Sequence, residues 1–244
     1  MNELIYLTQS LVREPDPEIY HACVIMNDEN ASSLNLNATI NTINSCGYTP
    51  LMIAALYGKI NICKRLLAAG ANVNITAPTR YNSTALMVAA TNSRIISTLA
   101  MVQFLIDQGA NVNEQSRTGY TALILSAYSS CSTSSIETVK LLLDNGADIH
   151  AANSNGETAL TCTVMNFNNS SLKTMKLLIH RGANLTVLST NGNTLLDHAM
   201  TMTATFAGYS IDWARPWILV CVFEPTTRSH RPMLPILVRL KGLL

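Results

Sequence analysis

Charge is scarce in this chain. Asp, Glu, Lys and Arg make up 13% of its 244 residues while 48% are hydrophobic, against a usual charged share of about 25%. So little charge with so many apolar residues excludes a disordered polyelectrolyte, which needs the opposite balance. The net charge is +1, and no Lys/Arg stripe of the kind that grips phosphate is present, so no nucleic-acid partner is expected. The six cysteines (Cys23, Cys46, Cys63, Cys131, Cys162, Cys221) stand singly. Without a Cys-x-x-Cys pair, zinc ribbons and thioredoxin-like redox sites have no support. No apolar run reaches the ~18 residues of a membrane span. The opening Met1-Asn2-Glu3-Leu4 lacks the basic start of a secretory signal. Isolated thiols without that signal lead us to expect an intracellular setting, host-cell cytoplasm included. Triplets such as Asn82-Ser83-Thr84 and Asn184-Leu185-Thr186 are ordinary in so Asn- and Ser-rich a chain and are not read as glycosylation sites.

Catalytic signatures are missing as well. His21, His150, His180, His198 and His230 are dispersed, and no metal-ligand cluster is read from them. Asp197-His198 is the most tempting pair, but neighbours on a helix point about 100° apart. There is no dinucleotide glycine fingerprint, no phosphate-binding Gly-Lys-Ser/Thr and no Gly-x-Ser-x-Gly elbow. Neither an enzyme nor a cofactor is expected.

What the chain does contain is a repeat. A Thr-x-Leu triplet begins at Thr49, Thr84, Thr121, Thr158 and Thr194, at spacings of 35, 37, 37 and 36 residues. A second marker keeps step: Gly70-Ala71-Asn72-Val73-Asn74, Gly109-Ala110-Asn111-Val112-Asn113, Gly146-Ala147-Asp148-Ile149-His150 and Gly182-Ala183-Asn184-Leu185-Thr186. Ahead of each glycine sits an apolar cluster: Cys63/Leu66/Leu67, Val102/Leu105/Ile106, Val139/Leu142/Leu143 and Met175/Leu178/Ile179. Self-similarity at a fixed period means a stacked architecture.

Each unit reads as helix, loop, helix, hairpin. The Thr caps a first helix through its hydroxyl, and Pro50 suits the first helical position, where no N–H is needed. Ala54-Ala55 and Ala89-Ala90 narrow that helix for close packing. The second helix buries its Leu-rich stripe and ends at the glycine. Thr118-Gly119, Asn155-Gly156 and Asn191-Gly192 supply hairpin tips. One unit alone cannot bury its stripe, whereas a stack can.

These motifs resemble those of the ankyrin-repeat family, whose 33-residue unit carries Gly-x-Thr-Pro-Leu-His-x-Ala-Ala and closes on Leu-Leu-x-x-Gly-Ala-Asp-Val-Asn. Gly47 to Ala55 and Gly70 to Asn74 match nearly throughout. The resemblance spans about 38–200 and implies an all-α repeat: an ankyrin-type α-solenoid of stacked helix-turn-helix/β-hairpin units. A weak half-unit, Ala38-Thr39-Ile40-Asn41, lies one period before Ala71-Asn72-Val73-Asn74. We divide the chain into an N-terminal helical cap or degenerate repeat (1–37), an array of about four full repeats plus partial ends (38–202), and a divergent C-terminal tail (203–244). The tail loses Asn, gains Trp213 and Trp217, and carries Pro216, Pro225, Pro232 and Pro235; an irregular end, a cap, a partner- or membrane-contacting segment and a frame-altered end all fit. Two departures stand out. Met52, Met87, Ile124, Thr161 and Asp197 replace the family His, so looser coupling between repeats is expected. Units after the first carry three or four extra residues between their helices, with Ser135 and Ser171 expected to cap the second helices.

The resemblance implies a non-catalytic protein-binding module whose concave face is made of hairpin tips and first-helix flanks. On matching positions the expected partner-binding residues are Tyr48, Tyr57, Arg80, Tyr81, Arg117, Tyr120, Tyr128, Asn155 and Glu157. Tyrosine suits this role because it buries large area at small rotamer cost and keeps a polar tip. The alternative for these tyrosines is packing on the neighbouring hairpin. The partner expected is another protein bound by a monomer. Two further readings stay open: an adaptor whose tail recruits a larger machine such as a ubiquitin ligase, although no F-box pattern stands in 201–244, and an orphan repeat protein that has lost its partner.

Overall fold

The computed structural model describes residue 23 and residues 40–77, 83–93, 97–130, 134–165, 169–187 and 190–193. All fall within Met1–Leu195, the first of the two units into which the chain divides. The expected boundaries at 37/38 and 202/203, the Asp197-His198 pair and the whole tail lie outside the described residues.

Eight helices occur among the described residues, in four pairs: α1 (Pro50–Leu56) with α2 (Ile60–Ala68), α3 (Ala85–Asn92) with α4 (Leu99–Asp107), α5 (Ala122–Ser129) with α6 (Ile136–Asp144), and α7 (Ala159–Met165) with α8 (Asn169–His180). The helix starts are written in the Thr-x-Leu triplet. Thr49, Thr84 and Thr121 accept through Oγ1 from the backbone N–H three residues on, at 3.2–3.3 Å, and Thr158 does so at 3.4 Å. Each satisfies a donor that the helix leaves free. Where the family His is replaced, two substitutes turn back to the cap: Thr161 Oγ1 accepts from Thr158 N at 2.7 Å, and Met87 Sδ accepts from Thr84 N at 3.5 Å. Thr98 and Ser135 cap α4 and α6 in the same way. Ser171 does not cap α8. That helix begins at Asn169, so Ser171 falls inside its first turn.

The second helices stop as their sequence demands. Gly146 has φ +82°, a left-handed conformation that a Cβ disfavours. There its N–H donates to Leu143 O at 3.1 Å and the Ala147 N–H to Leu142 O at 2.9 Å, the paired bonds of a Schellman closure. Ala71, Ala110 and Ala183 repeat the longer bond at 2.9–3.0 Å.

The two helix rows bury different faces. Pro50 to Leu56, Ala85 to Ala90 and Ala122 to Ala127 are buried without a break, because each first helix packs on its own partner helix and on the first helix of one neighbour or, for the second and third, of both. A helix enclosed on all sides must be apolar on all sides, and small alanines let the axes approach. The second helices bury one stripe only. In it sit Ile62/Cys63/Leu66, Met101/Val102/Leu105, Thr138/Val139/Leu142 and Thr174/Met175/Leu178. The expected third members Leu67, Ile106, Leu143 and Ile179 are half-buried; the stripe turns one residue earlier than the Leu-Leu spelling suggests.

Between the pairs the chain makes tight hydrogen-bonded turns rather than ladders of strands. The one isolated bridge among the described residues joins Ala152 and Thr158. The backbone N–H groups of Ser116, Asn44 and Asn153 donate to the carbonyls of Tyr120, Tyr48 and Glu157, whose own N–H groups donate back to the Ser116 hydroxyl and to the Asn44 and Asn153 side-chain oxygens.

A polar spine runs along the glycine ends. Asn74 donates through Nδ2 to Gly109 O (3.1 Å) and accepts through Oδ1 from Asn111 N (2.8 Å). Asn113 bridges in the same way to Gly146 O (2.9 Å) and Asp148 N (2.7 Å). Asn41 does so to Gly70 O (3.2 Å) and Asn72 N (2.9 Å), so the half-unit around Ile40 joins the stack as a repeat end.

Candidate functional site

Asn44 sits buried at the base of the first turn. Its Oδ1 accepts from Cys46 N (3.1 Å) and Tyr48 N (2.8 Å), which fixes the direction of both side chains. Cys46, Tyr48 and Tyr57 pack, half-buried, on a floor made by Leu56 of α1 and Val88 of α3. Tyr57 ends α1, and its Oη is buried without a hydrogen-bond partner. Burial raises the Tyr57 phenol above its ordinary range, so the ring stays neutral and keeps an O–H to donate. A buried hydroxyl with no partner is a standing cost to the fold.

The other expected site residues are spread along the same turns and helix ends. Tyr120 occupies the register position of Tyr48, directly before a capping Thr, and is half-buried; Arg117 stands exposed at that turn's tip. Tyr128, near the end of α5, is 43% exposed, which makes it the most open of the described tyrosines in the expected set. Asn155 is exposed at its tip, and its backbone carbonyl accepts from Thr190 N (2.9 Å) in the following turn. Glu157 takes the register of Tyr48 and Tyr120, yet it is 9% exposed. Its carboxylate accepts from Asn153 Nδ2 at 2.7 Å. Glu157 therefore holds its own turn together instead of reaching outward. Arg80 and Tyr81 lie outside the described residues. The floor residue Val88 escaped sequence reasoning because it reads as one more core position of an apolar helix.

Neighbouring turns touch. The Ser154 N–H donates to Thr118 O at 3.0 Å, and Gly119 lies so close to the next turn that a Cβ on it would stand 2.9 Å from Asn153 Cα. The turns thus form a continuous edge from Thr118 to Thr190.

Two of the described cysteines are held neutral by burial. Burial pushes the Cys23 thiol up to about 12. The Cys162 thiol also rises, through burial first and the nearby Glu157 charge second. Cys63 is buried beside Met101, sulfur to sulfur 3.9 Å. No cluster of three His, Cys, Asp or Glu able to hold a metal occurs among the described residues.

A family model described as ankyrin repeats (3 copies) matches residues 19–115, 82–153, 97–189 and 129–206. The chain belongs to the ankyrin-repeat family. Its matched span takes in every helix pair described above and both polar markers of the period. Ankyrin repeats are generally protein–protein interaction modules and are typically non-catalytic. No curated protein matches the sequence. Among the described residues no helix is long and apolar enough to cross a membrane.

Proposed function

We propose that this ankyrin array binds a partner protein through the face made by its turns and first-helix ends, without catalysis. The observation that carries this reading is the cluster of Tyr48 and Tyr57 on Leu56 and Val88, with Cys46 beside them. Two half-buried rings on an apolar floor form the kind of anchor around which interfaces concentrate their energy. Arg117 and Tyr128, both exposed, extend the face along the stack, with Tyr120 half-buried between them and Asn155 beyond. Arg80 and Tyr81 belong to the same proposal by their register. Glu157 is assigned to holding its turn. The partner is a protein segment met by a monomeric module in an intracellular compartment.

The test is affinity capture with three full-length baits: the parent chain, Tyr48→Ala/Tyr57→Ala, and Tyr81→Ala/Tyr120→Ala. A 1–200 truncation serves as the fourth bait. A protein captured by the parent and the truncation, and lost with either tyrosine pair while circular dichroism is unchanged, supports the face. A partner lost only on truncation shifts the role to the tail and favours an adaptor. Capture indifferent to all three changes refutes the assignment.

A further inference from the structure

Two kinds of polar link among the described residues join the second helix pair to the third. One is the Asn113 rung to Gly146 O and Asp148 N. The other is a buried hydroxyl bridge, Ser93 Oγ to Thr138 Oγ1 at 2.6 Å. At the next seam, between α5–α6 and α7–α8, both have lost a member. His150 stands at the rung position. Its backbone N–H still donates to Asp148 Oδ1 (2.8 Å), but among the described residues no side-chain hydrogen bond joins it to Gly182 or Asn184. An amide presents a donor and an acceptor side by side on one carbon, and an imidazole does not.

The hydroxyl bridge fails at the same seam. Ser130, in the register of Ser93, donates to Ala127 O of its own helix at 2.8 Å. Thr174, in the register of Thr138, is fully buried with its Oγ1 unpartnered. Thr161 and Thr163 of α7 are buried too, and their hydroxyls turn back to Thr158 O (2.9 Å) and Leu160 O (2.7 Å), so they add no bond across the seam. Among the described residues the backbone bond from Ser154 N to Thr118 O (3.0 Å) and the ion pair of Arg181 with Asp144 (2.8 Å) do span it. That pair is half in solvent, where such pairs contribute little.

We propose that the α7–α8 pair opens from the three pairs before it as a cooperative unit, with the seam at His150 and Thr174 as its hinge. In a stack held by nearest-neighbour contacts, an interface that has lost satisfied links is where local opening begins. The two missing links belong to different atoms on different elements, so each can be restored alone.

The test is hydrogen-exchange mass spectrometry on the full chain, read separately for α4 and α8. In the parent chain α8 should exchange faster than α4. His150→Asn restores the rung and should slow α8 about fivefold while leaving α4 unchanged, the equivalent of one net hydrogen bond. Thr174→Val removes the unpaired hydroxyl and should slow α8 by a similar factor. Because both substitutions are expected to stabilise, failure to fold cannot mimic the result. Selective slowing of α8 by either variant supports the hinge. Equal exchange of α4 and α8 in the parent, or no slowing by either variant, overturns it.

Discussion

Adding one methyl group at residue 119 should be the most damaging change available in the turn region. Gly119 has φ +77°, and its added Cβ would lie 2.9 Å from Asn153 Cα, 3.0 Å from Ser154 N and 3.1 Å from Asn153 C. All three are backbone atoms, so no side chain can rotate away. Two costs follow. A left-handed alanine is disfavoured by about 1 kcal/mol. Separating the turns removes the Ser154 N to Thr118 O bond and the contacts around it, roughly 2 kcal/mol more. Gly146 supplies the matched control. It lies in the same repeat at φ +82°, with nothing within 4 Å of an added Cβ, so Gly146→Ala bears the left-handed term alone, about 1 kcal/mol. Urea unfolding of both variants at 25 °C, followed by far-UV circular dichroism, should therefore separate them by about 2 kcal/mol. Equal midpoints would refute the reasoning, because they would mean that the close approach of the turns carries no energy.

Three further outcomes are expected. Asn74→Asp, which turns the donor facing Gly109 O into a second acceptor, should cost about 1–2 kcal/mol, while Asn72→Asp should stay within about 0.5 kcal/mol because Asn72 only has to accept from Asn74 N, both read from urea midpoints. Thr121→Ala, which leaves Ile124 N without its 3.2 Å acceptor, should cost about 1 kcal/mol in the same assay. Burial holds the Cys23 thiol neutral by lifting it from 9.0 to about 12; a raised pKa means that its contribution is intact below about pH 9 and is lost as the pH climbs toward 12. Midpoints compared between the parent and Cys23→Ala should accordingly converge across that window, and iodoacetamide at pH 8 should spare Cys23 until urea is added.

The fold was legible because its determinants are local and periodic. A capping Thr, a closing Gly and an apolar cluster each act within a few residues, so their spacing alone gives the helix pairs and the order of stacking. The stripe was misplaced by one position for a physical reason. In two of the four units the missed member is a fully buried threonine, Thr138 or Thr174, and a threonine reads as polar in a sequence. Ser171 failed as a cap because α8 gains a turn over the earlier second helices, and nothing in the repeat marks that extension. The candidate face was legible as positions but not as contacts. Tyr48 and Glu157 share one register, yet one packs on an apolar floor and the other hydrogen-bonds Asn153. That difference arises from which residue of the neighbouring pair lies beneath, which spacing does not encode.

The unusual composition has a structural cause. Each repeat end holds two polar positions with different chemical demands. The first, at Asn72, Asn111, Asp148 and Asn184, accepts from the N–H two residues on, and any side-chain oxygen at that distance suffices. Asp148 fills it as well as asparagine does. The second, at Asn41, Asn74 and Asn113, must donate to a glycine carbonyl and accept from a backbone N–H at once. Asp lacks the donor, Ser is too short to span the gap, and Gln adds a methylene whose rotamers must then be frozen. Asparagine alone meets both demands at that reach. A stack bound this way needs few ion pairs between its repeats, and a charged share of 13% is compatible with an ordered array because neutral amides carry the links between neighbours.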